Sequence, residues 1–273
     1  MKETTILDDQ YTFEEFGFIP LFAQSQPKTG DITHNLISVI NRPGAWHFGN
    51  AIGIKEFQVP LALIESNDLM KEEKIDKIVN FFVDSKGNPR AVKIAFRRAP
   101  DKFIWAFFQS LNEPSYTDNT VDFVINFIQP DPYRYGLSNM YDVDKPLRYD
   151  EGNNYGVQGY PNTKSFKWNI VPHHYAGIEN YSNLDTDIKI TIQGTVRGGS
   201  ITHLPTNQEL KLPNITNGTI VVDTETFNMT VNGQDIMEFD GDYFEMVPGN
   251  NGFLFKAEQA NATVNFDWLH RFM

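Results

Sequence analysis

Apolar and polar residues alternate along most of this chain, and the period is two, the spacing of strands with one buried face. The clearest case is Val121–Ile128, where Val121, Phe123, Ile125 and Phe127 take one side and Asp122 and Asn126 the other. Shorter runs of the same kind predict strands at Phe13–Ile19, Asn35–Ile40, Ile52–Val59, Ala91–Phe96 and Phe103–Gln109. Between them lie turn-forming clusters, Gln26-Pro27-Lys28-Thr29-Gly30 and Asn41-Arg42-Pro43-Gly44 among them. Gly44, Gly49 and Gly53 mark bends or bulges. One stretch has a different period. Residues 68–83 put Leu69, Ile75, Ile78, Val79 and Phe82 on one face of a helix and Lys71, Lys74, Asp76 and Lys77 on the other. Ser66 or Asn67 can cap it, Glu72 and Glu73 fall near its positive end, and its apolar face is expected to lie on a sheet.

The strand ending at Ile128 runs into Gln129-Pro130-Asp131-Pro132-Tyr133-Arg134-Tyr135-Gly136, where two prolines stop the ladder. A domain junction is expected there, at Pro130, Asp131, Pro132, Tyr133, Tyr135 and Gly136. Residues 139–165 lack periodicity and read as a linker or long surface loop, with Tyr141, Tyr149, Tyr155 and Tyr160 expected to pack on something. From Phe166 the pattern is purely β. Strands are predicted at Phe166–Ile170, Ile188–Gln193, Ile201–Leu204, Glu209–Leu212, Thr219–Asp223, Phe227–Val231, Gln234–Phe239, Tyr243–Val247, Phe253–Ala257 and Thr263–Leu269. Asn232-Gly233 between two of them is a strong hairpin signal. The expected fold is mainly β: an N-terminal β-sandwich-like domain over 1–138 with its helix at 68–83, and a C-terminal β-sandwich over 166–273.

Composition supports a folded chain and narrows its partners. Of 273 residues 40% are hydrophobic, with 22 Phe and 11 Tyr, which favours strands over disorder. The net charge of −12 divides unequally, −4 over residues 1–138 and −8 over 139–273. An acidic surface repels phosphate, so nucleic-acid binding through a basic face is not the expected task. There is no cysteine, hence no disulfide, thiolate metal site or cysteine nucleophile. The N-terminus lacks the apolar run of a signal peptide and no window matches a membrane span, so neither secretion by that route nor membrane insertion is expected.

Candidate chemistry is sparse. His173-His174 are adjacent, so on a strand they point to opposite faces and chelate poorly, and His34, His47, His203 and His270 stand apart. Asp142/Asp144, Asp185/Asp187 and Asp240/Asp242 each put two carboxylates on one face of a strand, a pattern that suits Ca²⁺ or glycoside hydrolysis, but all lie beside turn residues. Arg97-Arg98 reads as a solvated turn. Five Asn-x-Ser/Thr triplets, the first at Asn180, read as β-turn sequence. No phosphate loop, dinucleotide fingerprint or serine elbow is present. No catalytic residue, metal or cofactor is expected, and the chain reads as a binding or assembly protein.

Several stretches, taken in order, resemble the distal tail protein family of long, non-contractile-tailed bacteriophages. They are Arg42-Pro43-Gly44 before Ile52–Ile64, then helix 68–83 leading to Val92-Lys93-Ile94-Ala95-Phe96, Pro100-Asp101 and Phe103-Ile104-Trp105-Ala106. The Asp131-Pro132-Tyr133 junction follows, then Leu212–Asp223, Phe227–Gly233 with its Asn-Gly hairpin, and Met246-Val247-Pro248-Gly249-Asn250-Asn251. The resemblance implies a galectin-like C-terminal sandwich and an N-terminal domain that closes into a hexameric ring, alone or back to back with a second. It implies a hub at the virion tail tip, made in the host bacterial cytoplasm. The ring would join the tail tube protein to tail-tip or tail-associated proteins and to receptor-binding proteins, with DNA passing through the lumen. The alternative is a carbohydrate-binding module presenting Trp168, Tyr175 or Tyr243 to host-surface glycans; a third reading is a glycoside hydrolase using one of the carboxylate pairs.

Overall fold

A computed structural model describes residues 5–21, 27–96, 98–99, 101–137, 160–236 and 240–273. The fold is mainly β, with a single α-helix among the described residues. Two compact units divide it, one as far as Arg134 together with Met273, the other from Tyr135 to Phe272.

In chain order the first unit contains β1 (Ile6–Leu7), β2 (Tyr11–Thr12), β3 (Phe18–Pro20), β4 (Ile32–Ser38), β5 (Ala45–Ile52), β6 (Lys55–Ile64), α1 (Asp68–Phe82), β7 (Ala91–Ala95), β8 (Lys102–Leu111), β9 (Ser115–Tyr116) and β10 (Thr120–Gln129). Its main sheet runs β2-β1-β7-β8-β10-β6-β3, with β9 beside β10. The β6–β10 pair is continuous from Ile64↔Thr120 to Lys55↔Gln129. Alternate residues of both strands, Phe57, Val59, Leu61 and Leu63 against Val121, Phe123, Ile125 and Phe127, are therefore buried together. α1 closes this core: Ile75, Ile78 and Phe82 are buried, and the Phe82 ring meets that of Phe127 edge-on at 5.1 Å.

Three expectations for this unit need correction. Phe13–Ile19 is not one strand: Glu14–Phe16 form a 3₁₀ turn ended by Gly17 at φ +91°. Thr12 and Glu15 exchange backbone-to-side-chain hydrogen bonds at its start, each 3.2 Å, the reciprocal cap that a Thr-x-x-Glu spacing permits. Ile52–Val59 spans the break between β5 and β6. On α1, capped by Asn67, Leu69 is exposed while Lys71 is buried. Lys71 stands four residues before Ile75 and seven before Ile78, so the backbone places it on the buried stripe whatever its charge.

The division between units falls inside β11 (Arg134–Gly136). Beyond it lie β12 (Thr163–Trp168), β13 (His173–Asn180), β14 (Ile188–Arg197), β15 (Ser200–His203), β16 (Gln208–Lys211), β17 (Ile215–Asp223), β18 (Asn228–Val231), β19 (Gln234–Asp235), β20 (Gly249–Lys256), β21 (Gln259–Trp268) and β22 (Arg271–Phe272). One sheet runs β12-β21-β14-β17-β18-β19 and a second runs β13-β20-β15-β16. Both bury residues in a single core, Ile190, Val222, Val264 and Phe266 from the first and Ala176, Ile201, Phe253 and Phe255 from the second, so this unit is a β-sandwich. The Asn232-Gly233 hairpin forms as expected, with both residues at positive φ and Val231 opposite Gln234.

Here too the boundaries differ from expectation. β12 starts at Thr163, ahead of the expected boundary at 166, and β13 adds a strand that no alternating run announced. Tyr243–Val247 is not a strand; Met246 forms one isolated bridge to Thr186. Gln234–Phe239 shortens to Gln234–Asp235 within the described residues. Tyr141, Tyr149, Tyr155, Asp142, Asp144, Arg97 and Pro100 lie outside the described residues.

Candidate assembly surface

Among the described residues β4 and β5 pair only with each other, forming a two-stranded ribbon that belongs to none of the three larger sheets. Such a ribbon is marginal in water unless something covers it. It is also apolar to an unusual degree. Ile32, Leu36, Ile37, Trp46 and Phe48 are exposed along it, Phe48 at 63%, and beyond β4 Val39 and Ile40 are exposed too, Ile40 at 90%. One exposed Ile or Leu is ordinary; this many on one two-stranded ribbon make it the candidate interaction surface. The Arg42 guanidinium lies 4.1 Å from the centre of the Trp46 ring, holding the indole at the turn.

The junction residues make a compact, self-bonded turn. Gln129, buried at the end of β10, donates through Nε2 to the carbonyls of Asp131 (2.6 Å) and Tyr133 (2.8 Å), while Asp131 Oδ1 accepts from the Tyr133 amide at 3.1 Å. Pro130 is exposed, and Asp131, Pro132, Tyr133 and Tyr135 are half-buried. Arg134 binds the main-chain oxygen of Met273. Gly136 is buried: its amide donates to the His270 carbonyl at 2.9 Å, and a Cβ there would stand 2.6 Å from the Tyr160 ring. Tyr160 also packs against the rings of His270 and Phe272.

Among the described residues the candidate chemical groups stand in separate local pairings. Asp187 pairs with Arg271. Burial, then the charges of Asp187 and Asp185, push the Glu245 carboxyl above its ordinary value, with Arg271 opposing. Asp240 pairs with Lys211. Among the described residues no three His, Asp or Glu side chains are grouped to hold a metal ion. His173 is exposed, and the half-buried His174 stacks on Phe166 at 4.6 Å. The sugar-binding candidates also disperse. Trp168 is 0% exposed and a core residue, which corrects its assignment as a platform; Tyr243 is half-buried, and Tyr175 alone is well exposed.

Sequence reasoning missed two features. Asn35–Ile40 reads as a strand, and nothing in its composition tells that Leu36, Ile37, Val39 and Ile40 are exposed. Sequence reasoning also separated His34 from His47, which lie 3.2 Å apart across the ribbon.

Comparison with known proteins agrees with this architecture. Residues 10–129 match the family model described as a phage tail protein RIFT-related domain. Residues 182–272 match the siphovirus-type tail component, C-terminal domain. No curated protein matches the chain. Among solved structures it is similar to the Dit protein of phage SPP1, described as a paradigm of the hub adsorption apparatus in phages infecting Gram-positive bacteria. That likeness has 16% identity, a TM-score of 0.68 and 99% coverage of both chains, and at this identity it speaks for the fold. A weaker likeness, 10% identity and TM-score 0.41 over 93% of this chain and 92% of the other, is to a chain of the phage P2 baseplate in its activated conformation with Ca.

Proposed function

Because this chain belongs to the siphophage distal tail protein family, we propose that it is a hub component of the tail and closes into a hexameric ring. In that ring the β4–β5 ribbon of each copy lies on the first unit of the next. The observation carrying this reading is the ribbon itself, whose apolar side chains no other described segment covers. A heterologous contact of this kind closes into a ring when its rotation divides the circle. It also removes an exposed pair of strand edges, which would otherwise invite non-specific pairing.

The ring joins the tail tube protein to tail-tip or tail-associated proteins at the virion tip, and the β-sandwich unit is free for adsorption proteins. The turn at Pro130–Gly136 marks the junction between the ring-forming and the outer domain. With a net charge of −4 over the ring-forming residues 1–138 and −12 over the whole chain the wall is suited to let DNA slide past without holding it. The role is structural, and no step of bond chemistry is assigned to the chain. Light scattering over a range of concentrations tests this: masses of six or twelve chains support the ring. A particle of one chain at every concentration, with and without the tail tube protein, overturns it.

A further inference from the structure

The ribbon carries a second feature, independent of any role in assembly. His34 Nδ1 and His47 Nε2 are 3.2 Å apart, their rings 5.3 Å between centres and tilted by 57°. Both residues are exposed.

The pair exists because of a bulge. Thr33 faces Ala51 and His34 faces Asn50, but the next registered pair is Leu36 with His47. Phe48 and Gly49 thus stand opposite the single residue Asn35, one more on β5 than on β4. Without that extra residue His47 would face Ile37 and point to the side away from His34, since a one-residue slip reverses every side chain. Gly49 sits at φ +98°, a conformation glycine adopts freely and other residues do not. A glycine bulge that re-aims one side chain is a recurrent device at functional positions.

We propose that His34 and His47 form a binding site for a divalent late transition metal ion, Zn²⁺, Ni²⁺ or Cu²⁺, held by His34 Nδ1 and His47 Nε2 with water in the remaining positions. Zn²⁺ with bonds of about 2.0–2.1 Å and tetrahedral angles separates two ligand nitrogens by about 3.3–3.4 Å, close to the separation already present. Imidazole pairs select these ions over Ca²⁺ and Mg²⁺, which require oxygen ligands. In the metal-free chain one of the two facing nitrogens donates a hydrogen bond to the other. On binding, that proton moves to the other nitrogen of its own ring, so neutral imidazoles bind without releasing a proton from the chain. The ion ties β4 to β5 across the bulge, and anything that binds the formed ribbon better than the open one stabilises it.

Zn²⁺ titration of the full-length chain, at a dilution where it is a single chain, tests the site by NMR of the histidine ring protons. The expected result is saturation at one ion per chain, with the His34 and His47 rings moving together at one half-saturation point. His34→Ala and His47→Ala should each weaken binding by at least about tenfold, since a direct ligand contributes no less than the roughly 10–100-fold that residues behind the ligands contribute. Gly49→Val, which keeps both imidazoles but forbids the bulge, should weaken it as much. His174→Ala should change nothing, and Ca²⁺ should not compete. Three results overturn the site: no saturation by millimolar Zn²⁺, separate half-saturation points for the two rings, or binding by the Gly49→Val chain equal to that of the unmodified one. The ring-proton arm needs no variant, so a substitution that loosens the ribbon leaves the test decisive.

Discussion

The Lys71 ammonium lies 3.0 Å from the carbonyl oxygen of Thr117, although Lys71 belongs to the buried stripe of α1 and is 1% exposed. It also donates to the Asp118 carbonyl at 3.2 Å and to Asp68 at 2.7 Å, so all three of its protons are used. One lysine thereby fastens the first turn of the helix to the loop between β9 and β10. Lys71→Met keeps the length of the side chain but leaves both carbonyls without their donor. It should destabilise the chain by about 1–3 kcal/mol, read as a lower urea midpoint.

The ribbon makes the opposite claim, that its side chains matter for association and not for folding. Trp46 and Phe48 are exposed, so Trp46→Ser with Phe48→Ser should leave the urea transition within about 0.5 kcal/mol of the parent. The same pair should move the onset of self-association, followed by light scattering, to concentrations at least tenfold higher, about 1.4 kcal/mol per factor of ten.

Gly136 has no room for a side chain. The nearest Tyr160 ring atom would be 2.6 Å from a Cβ, and two more ring-side atoms lie at 2.9 and 3.2 Å. Gly136→Ala should cost about 1–3 kcal/mol through overpacking. Tyr160→Ala combined with it should recover part of that loss, and a double-mutant cycle by urea denaturation checks the coupling.

The C-terminal sandwich should weaken in acid. His203 donates through Nε2 to Asn251 Oδ1 at 2.9 Å, an oxygen that also accepts from the Val247 amide, which leaves Nδ1 to accept from Thr206. Burial holds its pKa below the ordinary 6.5, with the Asn251 hydrogen bond opposing. Burial does the same to His270, against the Pro161 carbonyl and the Glu179 charge. In both, the folded pKa lies below the unfolded one. From pH 6.5 down to the folded values the unfolded chain therefore binds more protons, and stability falls as pH falls, by up to about 1.4 kcal/mol per pH unit for each histidine. Above pH 6.5 neither contributes a slope. Thermal unfolding from pH 7.5 to 5 should show this trend, and His203→Gln should flatten it.

Much of the fold was legible because burial and period agree. Val121–Ile128 alternates in sequence and in space, Asn232-Gly233 forms the hairpin its residues demand, and helix 68–83 lies within a residue of its place. Failures came where tertiary context reverses a local signal. Lys71 is polar yet lies on the core stripe, and Trp168, an apparent ligand platform, is core. Asn35–Ile40 reads as a strand, but its period does not tell that Leu36, Ile37, Val39 and Ile40 are all exposed. The His34–His47 pair was hidden for a geometric reason: its two halves share a face only after the bulge at Gly49 changes the parity of β5, and Gly49 announces a bend or bulge in the sequence without saying which side chains it brings together.

The central claim is that this chain is built to be gripped by copies of itself through the β4–β5 ribbon. Electron micrographs of the concentrated full-length chain, averaged without imposed symmetry and set beside the Trp46→Ser, Phe48→Ser variant, test it most directly. The account predicts rings of six copies for the parent and scattered single chains for the variant. Rings that persist unchanged in the variant, or single chains alone for the parent even with the tail tube protein added, would contradict it.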